Sequence, residues 1–130
     1  LYEDVLACYR DVYAALRSGG ACRDYQIRVC EFFKARGHVT VMEDAKTENG
    51  YVHSLGHGLG LNIHEAPNLT HLENNTDRMT PGVVVTVEPG LYYPDKGMGV
   101  RLEDSVWVNP QGQIETLAEF PMDLVLPIRK

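Results

Sequence analysis

The apolar positions in residues 2–17 follow the period of an α-helix. They recur every three or four residues, at Val5, Tyr9, Val12 and Leu16. On a helix with about 3.6 residues per turn these positions share one face, which can pack against a core. The glycine pair at positions 19 and 20 is typical of a helix end. We therefore predict an amphipathic helix over residues 2–17.

Residues 24–36 show the same helical spacing over a shorter stretch. Asp24 stands at the start, where its carboxylate could accept hydrogen bonds from the first backbone N–H groups as an N-cap. Val29, Phe32 and Phe33 fall on the predicted buried side, and Gly37 follows as a stop. The sequence therefore predicts a second amphipathic helix.

Beyond residue 38, short β-rich runs separated by glycine and proline replace the helical spacing. They cover residues 83–88, 91–93, 99–108 and 113–116. Residues 66–82, which are rich in proline and asparagine, are predicted to form a loop. Two helices followed by strands indicate an α+β domain with the helices on one face of a mostly antiparallel sheet. Because no linker composition divides the chain, we predict a single domain over residues 1–130.

The composition narrows the classes of partner. The 130 residues carry a formal net charge of −6 and a pI near 5.3. This charge argues against nucleic acid or an anionic membrane surface as the main partner. The longest apolar run, residues 83–87, is far shorter than a membrane span. Because the chain begins with Leu1 and charged residues follow at once, we expect no signal peptide and a chain taken from a longer protein.

The cysteines bear on the redox compartment. Cys8, Cys22 and Cys30 are an odd number and lack the CxxC spacing of a metal site. We predict reduced thiols in a cytoplasmic protein. A disulfide between Cys22 and Cys30 is the alternative.

Three of the chain's five histidines, His53, His57 and His64, lie within one glycine-rich segment. Glycines at positions 56, 58 and 60 disfavour a helix there, at a cost of about 1 kcal/mol each. We predict an extended backbone in which the missing side chains leave room for a ligand. Side chains on a strand repeat every second residue, so His53 and His57 would share a face. His64 has an odd spacing and would need a turn or bulge near Asn62 to rejoin them.

Two glutamates follow in positions suited to ligand binding. Glu88 comes after an apolar run and before Pro89, where a buried carboxylate would need a partner. Alternation along the next run places Glu103 beside Arg101, whose guanidinium could bind a carboxylate or a peptide carbonyl. Either glutamate alone would be taken for an ordinary strand residue. Together with the histidines, they supply the imidazole and carboxylate ligands that Zn, Mn or Co prefers.

Three ordered segments carry a resemblance to a known family. They are His-x3-His-Gly-x-Gly-x3-His-Glu at 53–65, Thr-Val-Glu-Pro-Gly-Leu-Tyr at 86–92 and Gly-Val-Arg-Leu-Glu-Asp at 99–104. This pattern resembles the Xaa-Pro aminopeptidase and prolidase branch of the pita-bread metallopeptidases. The resemblance covers essentially the whole chain. It implies the C-terminal half of a pita-bread fold, with two N-terminal helices packed on a mostly antiparallel, curved sheet.

The resemblance also implies a set of metal ligands. In this family two divalent ions, Mn, Co or Zn, are bridged by a water or hydroxide. His57 and Glu88 correspond to ligands of one ion, and Glu103 to a ligand of both. Glu88 would in addition move protons. Manganese is one of the expected metals, but the sequence does not identify which of the three ions is bound.

The remaining family positions correspond to substrate-side groups. His64 would stabilise the tetrahedral intermediate or bind the scissile carbonyl, and His53 would line the pocket on the proline side. Arg101 would contact the substrate or support the ligands. The implied reaction is hydrolysis of the bond between an N-terminal residue and proline, so the implied partner is a peptide with proline at its second position.

The chain departs from the family pattern in one respect. The family's two aspartate ligands lie on an upstream hairpin, and no such segment is present. Asp11 and Asp24 are rejected as substitutes because both belong to predicted helices. We expect the C-terminal portion of a catalytic domain that is inactive by itself, with an apolar face that favours homo-oligomers or association. The alternatives are a catalytically dead pita-bread module that binds protein partners and, less favoured, a hydrolase with one metal.

Overall fold

The structure is a computed structural model that describes residues 1–126. Two helices open the chain, α1 over Tyr2–Ala15 and α2 over Cys22–Lys34. Helix α2 begins two residues earlier than predicted, so Asp24 lies in its first turn and Ala21 occupies the N-cap position. The N-cap prediction is therefore wrong, although a carboxylate in the first turn still interacts favourably with the helix dipole. No helix in residues 1–126 is both long and apolar enough to cross a bilayer.

Seven strands follow the helices. They are β1 (Gly56–Gly58), β2 (Glu65–Leu69), β3 (Val84–Val87), β4 (Gly90–Tyr93), β5 (Met98–Arg101), β6 (Asp104–Val108) and β7 (Ile114–Thr116). A five-stranded sheet has the order β2-β1-β3-β6-β7, and β4 and β5 form a separate hairpin joined by a short 3-10 helix, Pro94–Lys96. Every pairing between these strands is antiparallel. The α+β prediction is confirmed.

Two predicted boundaries are corrected by the sheet. Residues 66–82 were predicted to form a loop, but the first of them belong to β2, which contains Pro67. Proline is tolerated there because β2 is an edge strand, where a missing N–H need not interrupt the hydrogen-bond ladder. The predicted run over 99–108 divides at residues 102–103, since β5 pairs with β4 whereas β6 pairs with β3.

The helices bury the faces that their periodicity predicts. Val5, Tyr9, Val12 and Leu16 all belong to the core. On α2, Phe33 is fully buried, whereas its neighbour Phe32 is only partly buried and carries the guanidinium of Arg36 over its ring at 3.7 Å. The prediction that both phenylalanines are buried is therefore half right. Consecutive helical residues point about 100° apart, so one of the pair must lie near the edge of the buried face.

The three cysteines are free and buried in this core. Burial, as the largest cause, raises the pKa of Cys30 to about 11 and that of Cys22 to about 12. An exposed thiol in the unfolded chain has a pKa of about 8.5. The folded state therefore holds protons that the unfolded state releases above this pH.

We expect the free energy of unfolding to fall as the pH rises from about 8.5 towards 11, because the unfolded thiols ionise first. Urea denaturation between pH 7 and pH 10.5 would measure this decline. The double variant Cys22→Ala, Cys30→Ala should show a shallower decline than the parent. An identical slope in both proteins would contradict the assignment to these thiols.

Candidate functional site

The chain reverses direction between β1 and β2, and this turn brings two histidines together. His57 lies on β1, His64 immediately precedes β2, and their ring centroids are 4.2 Å apart. The register of β1 against β2 shifts between His57 and Gly58, as at a β-bulge. The backbone N–H of Asn62 donates to the Glu65 carboxylate at 3.0 Å within the turn. The prediction of a turn or bulge near Asn62 is confirmed.

The glycines of this segment serve strand packing rather than ligand access. A Cβ atom on Gly56 would lie 2.0 Å from the carbonyl oxygen of Thr86, and one on Gly58 would lie 2.2 Å from that of Ala66. At Gly60 a Cβ would meet the Glu65 carboxylate at 2.2 Å. Side chains at these positions would therefore collide with the neighbouring strands or with the turn itself. The prediction that they leave space for a ligand is wrong, because the protein fills that space.

His57 and Glu88 form the centre of the site. Glu88 follows β3 and is only 9% exposed, and its Oε1 lies 3.2 Å from Nε2 of His57. The other ring nitrogen of His57, Nδ1, lies 3.0 Å from the carbonyl oxygen of Gly58. A hydrogen on Nδ1 satisfies that carbonyl and leaves the Nε2 lone pair directed at Glu88. In this tautomer, a cation held between Nε2 and Oε1 would satisfy both atoms.

The spacing of this pair fits a divalent ion. Ligand bonds of about 2.0–2.2 Å hold neighbouring ligand atoms roughly 3.0–3.5 Å apart, whether the geometry is tetrahedral or octahedral. The 3.2 Å between Nε2 of His57 and Oε1 of Glu88 lies in this interval. A histidine whose Nδ1 donates to a carbonyl is also the usual arrangement of a metal-binding imidazole. The residues present therefore fit part of a metal site.

Arg101 lies between the two glutamates. Its Nε is 3.2 Å from Glu103 Oε2 and its Nη1 is 3.7 Å from Glu88 Oε2. The strand is interrupted between Arg101 and Glu103, but the ion pair still holds them on the same side, as the alternation predicted. Within residues 1–126, no three His, Cys, Asp or Glu side chains group closely enough to hold a metal ion. The structure thus joins His57 to Glu88 and keeps Glu103 beside the guanidinium.

His53 lies beside a tyrosine rather than beside His57. Its Nδ1 is 2.7 Å from the carbonyl oxygen of Ser54, and its Nε2 is 3.1 Å from the hydroxyl of Tyr92. With a hydrogen on Nδ1, Nε2 accepts from the tyrosine hydroxyl. Burial raises the pKa of Tyr92, and the nearby Arg101 opposes this shift. Tyr92 therefore interacts with both His53 and Arg101.

Two residues of the site had no role assigned from the sequence. The Thr86 hydroxyl accepts from the backbone N–H of His57 at 3.0 Å and donates to Glu88 Oε1 at 2.9 Å. Tyr92 stood within the family motif without a function of its own. The positions 88, 90 and 92 alternate in a way that places Glu88 and Tyr92 on one side of an extended chain. That alternation was the available indication for Tyr92, and it also places Thr86, two positions before Glu88, on the same side.

The arrangement defines a class of protein. A two-helix, antiparallel α+β unit presents an imidazole–carboxylate pair beside a second glutamate, and these are ligand types that zinc and similar divalent metals bind. The model of metallopeptidase family M24 matches residues 1–110. The chain belongs to this family.

Relatives and solved structures agree with this assignment. The chain is 33% identical over 112 residues to the Xaa-Pro dipeptidase of Pyrococcus furiosus, covering 86% of this chain and 29% of the relative. It is 43% identical over 74 residues to an uncharacterized peptidase of Bacillus subtilis, YqhT, covering 57% of this chain and 20% of the relative.

Two solved structures superimpose on almost the whole chain. The X-Pro aminopeptidase from Thermotoga maritima matches with a TM-score of 0.76 and 30% identity, covering 94% of this chain and 31% of that one. The prolidase from Pyrococcus horikoshii matches with a TM-score of 0.78 and 27% identity, covering 95% and 32%. These structures confirm the predicted pita-bread fold class. The chain spans about three-tenths of the length of both structures.

Proposed function

We propose that this chain supplies metal ligands and substrate contacts to a metal-dependent exopeptidase that cleaves between an N-terminal residue and proline. The observation that carries the proposal is the 3.2 Å contact between His57 Nε2 and Glu88 Oε1, a spacing that fits two ligands of one ion. A shared divalent ion satisfies both atoms. Family membership and the Xaa-Pro dipeptidase relative support the substrate class.

The proposed division of labour follows from the contacts. When bound, divalent metals would polarise the scissile carbonyl and lower the pKa of a water molecule. His57 and Glu88 would hold one ion, and Glu103 would be shared between both. Glu88 would also accept and return a proton, and the hydroxyl of Thr86, which donates to its Oε1 at 2.9 Å, would hold the carboxylate in place. Arg101 would balance the two carboxylates and contact the substrate.

His64 and His53 are proposed to act on opposite sides of the scissile bond. His64 lies 4.2 Å from the His57 ring, measured between centroids, and would donate a hydrogen bond to the scissile carbonyl oxygen. The His53 ring contacts the rings of Tyr51 and Tyr92 at centroid distances of 5.3 and 5.4 Å. An Xaa-Pro amide has no N–H, so its recognition depends on a pocket for the pyrrolidine ring. The rings of His53 and Tyr92 would form one wall of that pocket, and Tyr51, which is 0% exposed, would support His53 from the core.

A hydrolysis assay tests the proposed activity. The protein that carries this chain should release the first residue from a peptide with proline at position two when Mn²⁺ is supplied. A matched peptide with alanine at position two should react much more slowly, and a chelator should abolish both reactions. Equal cleavage of the two peptides, or full activity in the chelator, would overturn the proposal.

The chain supplies three of the five ligands that the family uses. We propose that two aspartates outside residues 1–130 complete the site and that the chain forms one unit of a larger catalytic domain. One hydrophobic cluster joins the helices to the sheet, which supports a single unit. The exposed side chains of Leu61 and Ile63 support association through the turn next to the site.

The 130-residue chain alone should bind no more than one metal ion, and only weakly, because the guanidinium of Arg101 competes with a cation for the two glutamates and the aspartates are missing. Isothermal titration with Mn²⁺ would measure the number of sites and their affinity. The same chain should show no turnover of Xaa-Pro peptides. Two tight sites in the titration would contradict the incomplete-site proposal.

One observation favours a second candidate function, a pita-bread module that binds protein partners without catalysis. The guanidinium of Arg101 contacts both Glu88 and Glu103 and partly compensates their charge without a metal ion. Metal analysis of the protein that carries this chain separates the candidates. Two equivalents of metal support the enzyme, and a metal-free, folded protein supports the binding module.

A further inference from the structure

Gln26 is a buried polar side chain that ties helix α2 to the segment carrying His53. It is 0% exposed. Its Nε2 donates to the carbonyl oxygen of His53 at 3.1 Å, and its Oε1 accepts from the backbone N–H of Leu55 at 2.5 Å. The hydroxyl of Tyr51 donates to the same Oε1 at 2.9 Å. One amide thereby fixes the backbone on both sides of Ser54.

The same connection reaches Glu88. The carbonyl oxygen of Leu55 accepts from the backbone N–H of Glu88 at 2.9 Å. Leu55 is fully buried, so its peptide groups cannot exchange these partners for water. A path of hydrogen bonds therefore runs from Gln26 through Leu55 to the backbone of Glu88, with a branch to His53.

We propose that Gln26 is a positioning residue that sets the placement of His53 and Glu88 for the reaction. This inference rests on the function proposed above. Gln26 lies behind the site and acts only through the backbone of residues 53–55. An amide suits this position because it donates and accepts at once without carrying a charge into the core. The spacing of positions 26, 29 and 33 along α2 places Gln26 on the buried face.

A purely structural role makes a different prediction from a positioning role. If the network only stabilised the fold, its loss would reduce the fraction of folded protein and leave the turnover of each folded molecule unchanged. If it positions His53 and Glu88, turnover per folded molecule falls. Groups that orient metal ligands typically change activity or metal affinity by about 10-fold to 100-fold.

The first test is Gln26→Leu in the protein that carries this chain. Leucine has a similar volume and removes the hydrogen bonds to His53, Leu55 and Tyr51, together with the longer one from Nε2 to Cys30 Sγ at 3.7 Å. With Mn²⁺ at saturation, kcat per folded molecule on an Xaa-Pro peptide should fall about 10-fold to 100-fold. KM should change less than kcat, because the affected groups act on the reacting atoms.

Asn109→Leu is the matched control. Asn109 is also a buried polar residue, 4% exposed, and its Oδ1 accepts from the backbone N–H groups of Gln111 and Gln113, both at 2.9 Å. It lies in the β6–β7 turn and makes no hydrogen bond to residues 53–55 or to Glu88. This variant should lose stability and keep the parental kcat per folded molecule.

Gln26→Glu provides the conservative rescue. A protonated carboxyl can accept from Leu55 and donate to the His53 carbonyl, whereas an ionised one repels that carbonyl. The ratio of its kcat to that of the parent should therefore rise as the pH falls from 8 to 6. If Gln26→Leu does not fold, this ratio decides the question.

The outcomes separate the two proposals. A folded Gln26→Leu variant with kcat within twofold of the parent, or a pH-independent ratio for Gln26→Glu, overturns the positioning role and leaves the proposed function intact. A parent protein without metal-dependent Xaa-Pro hydrolysis overturns the proposed function itself.

Discussion

Replacing His57 with alanine should lower kcat on an Xaa-Pro peptide by about a thousandfold or more. Nε2 of the imidazole lies 3.2 Å from Oε1 of Glu88. The substitution therefore removes the histidine partner of a nearly buried carboxylate. Loss of a metal ion removes several kcal/mol of transition-state stabilisation, and each 1.36 kcal/mol corresponds to a tenfold change in rate. Steady-state kinetics and metal analysis of the same preparation would measure both effects.

His71→Ala is the control for this variant. His71 lies outside the cluster of His57, His64 and Glu88, and its carbonyl oxygen accepts from Arg23 at 3.1 Å through the backbone, which the substitution preserves. Its activity and metal content should match the parent. Parental kcat in His57→Ala, with the fold intact, would remove His57 from the ligand set.

Replacing Phe33 with alanine should lower the free energy of unfolding by about 3–5 kcal/mol. The ring is 0% exposed and packs against Tyr51, with ring centroids 5.2 Å apart. A cavity of this size costs the transfer free energy of the ring together with the lost contacts around it. Such a loss is a large part of a typical stability of about 5–15 kcal/mol. Urea denaturation of both proteins would measure it.

Phe32→Ala is the matched control, since it makes the same substitution one position earlier. Phe32 is partly buried and its clearest partner is the exposed guanidinium of Arg36. We expect a loss of about 1 kcal/mol. Similar losses in the two variants would show that the buried face of α2 is wrongly assigned.

The Phe32–Phe33 pair illustrates how far the sequence predicts the fold. Helical spacing identifies the apolar face of α2, but two adjacent aromatic residues fit it almost equally well. Which ring enters the core depends on the rotation of the helix against the sheet. The strand at Glu65–Leu69 raises the same difficulty, because Pro67 argues for a loop until the edge position of β2 is known.

The candidate site shows a similar division. Glycine spacing correctly predicted an extended segment around His57, but it suggested ligand space where the structure has Thr86 and Ala66. A glycine in the sequence indicates that a larger side chain does not fit at that position. It does not indicate whether a ligand or the protein itself fills the space. The sequence did not predict a role for Gln26, because a single polar residue on a helix does not indicate which backbone groups its side chain will bind.

The sequence by itself determined the chemistry. Its three motifs place imidazole and carboxylate groups in a fixed order, because residue types and local spacing are properties of the chain alone. The tertiary structure decided which of these groups meet. It brought His64 to His57 through the turn, paired His57 with Glu88 across β1 and β3, and kept Glu103 beside Arg101. These contacts join residues distant in the chain, and their geometry follows from strand register and burial, which no local pattern encodes.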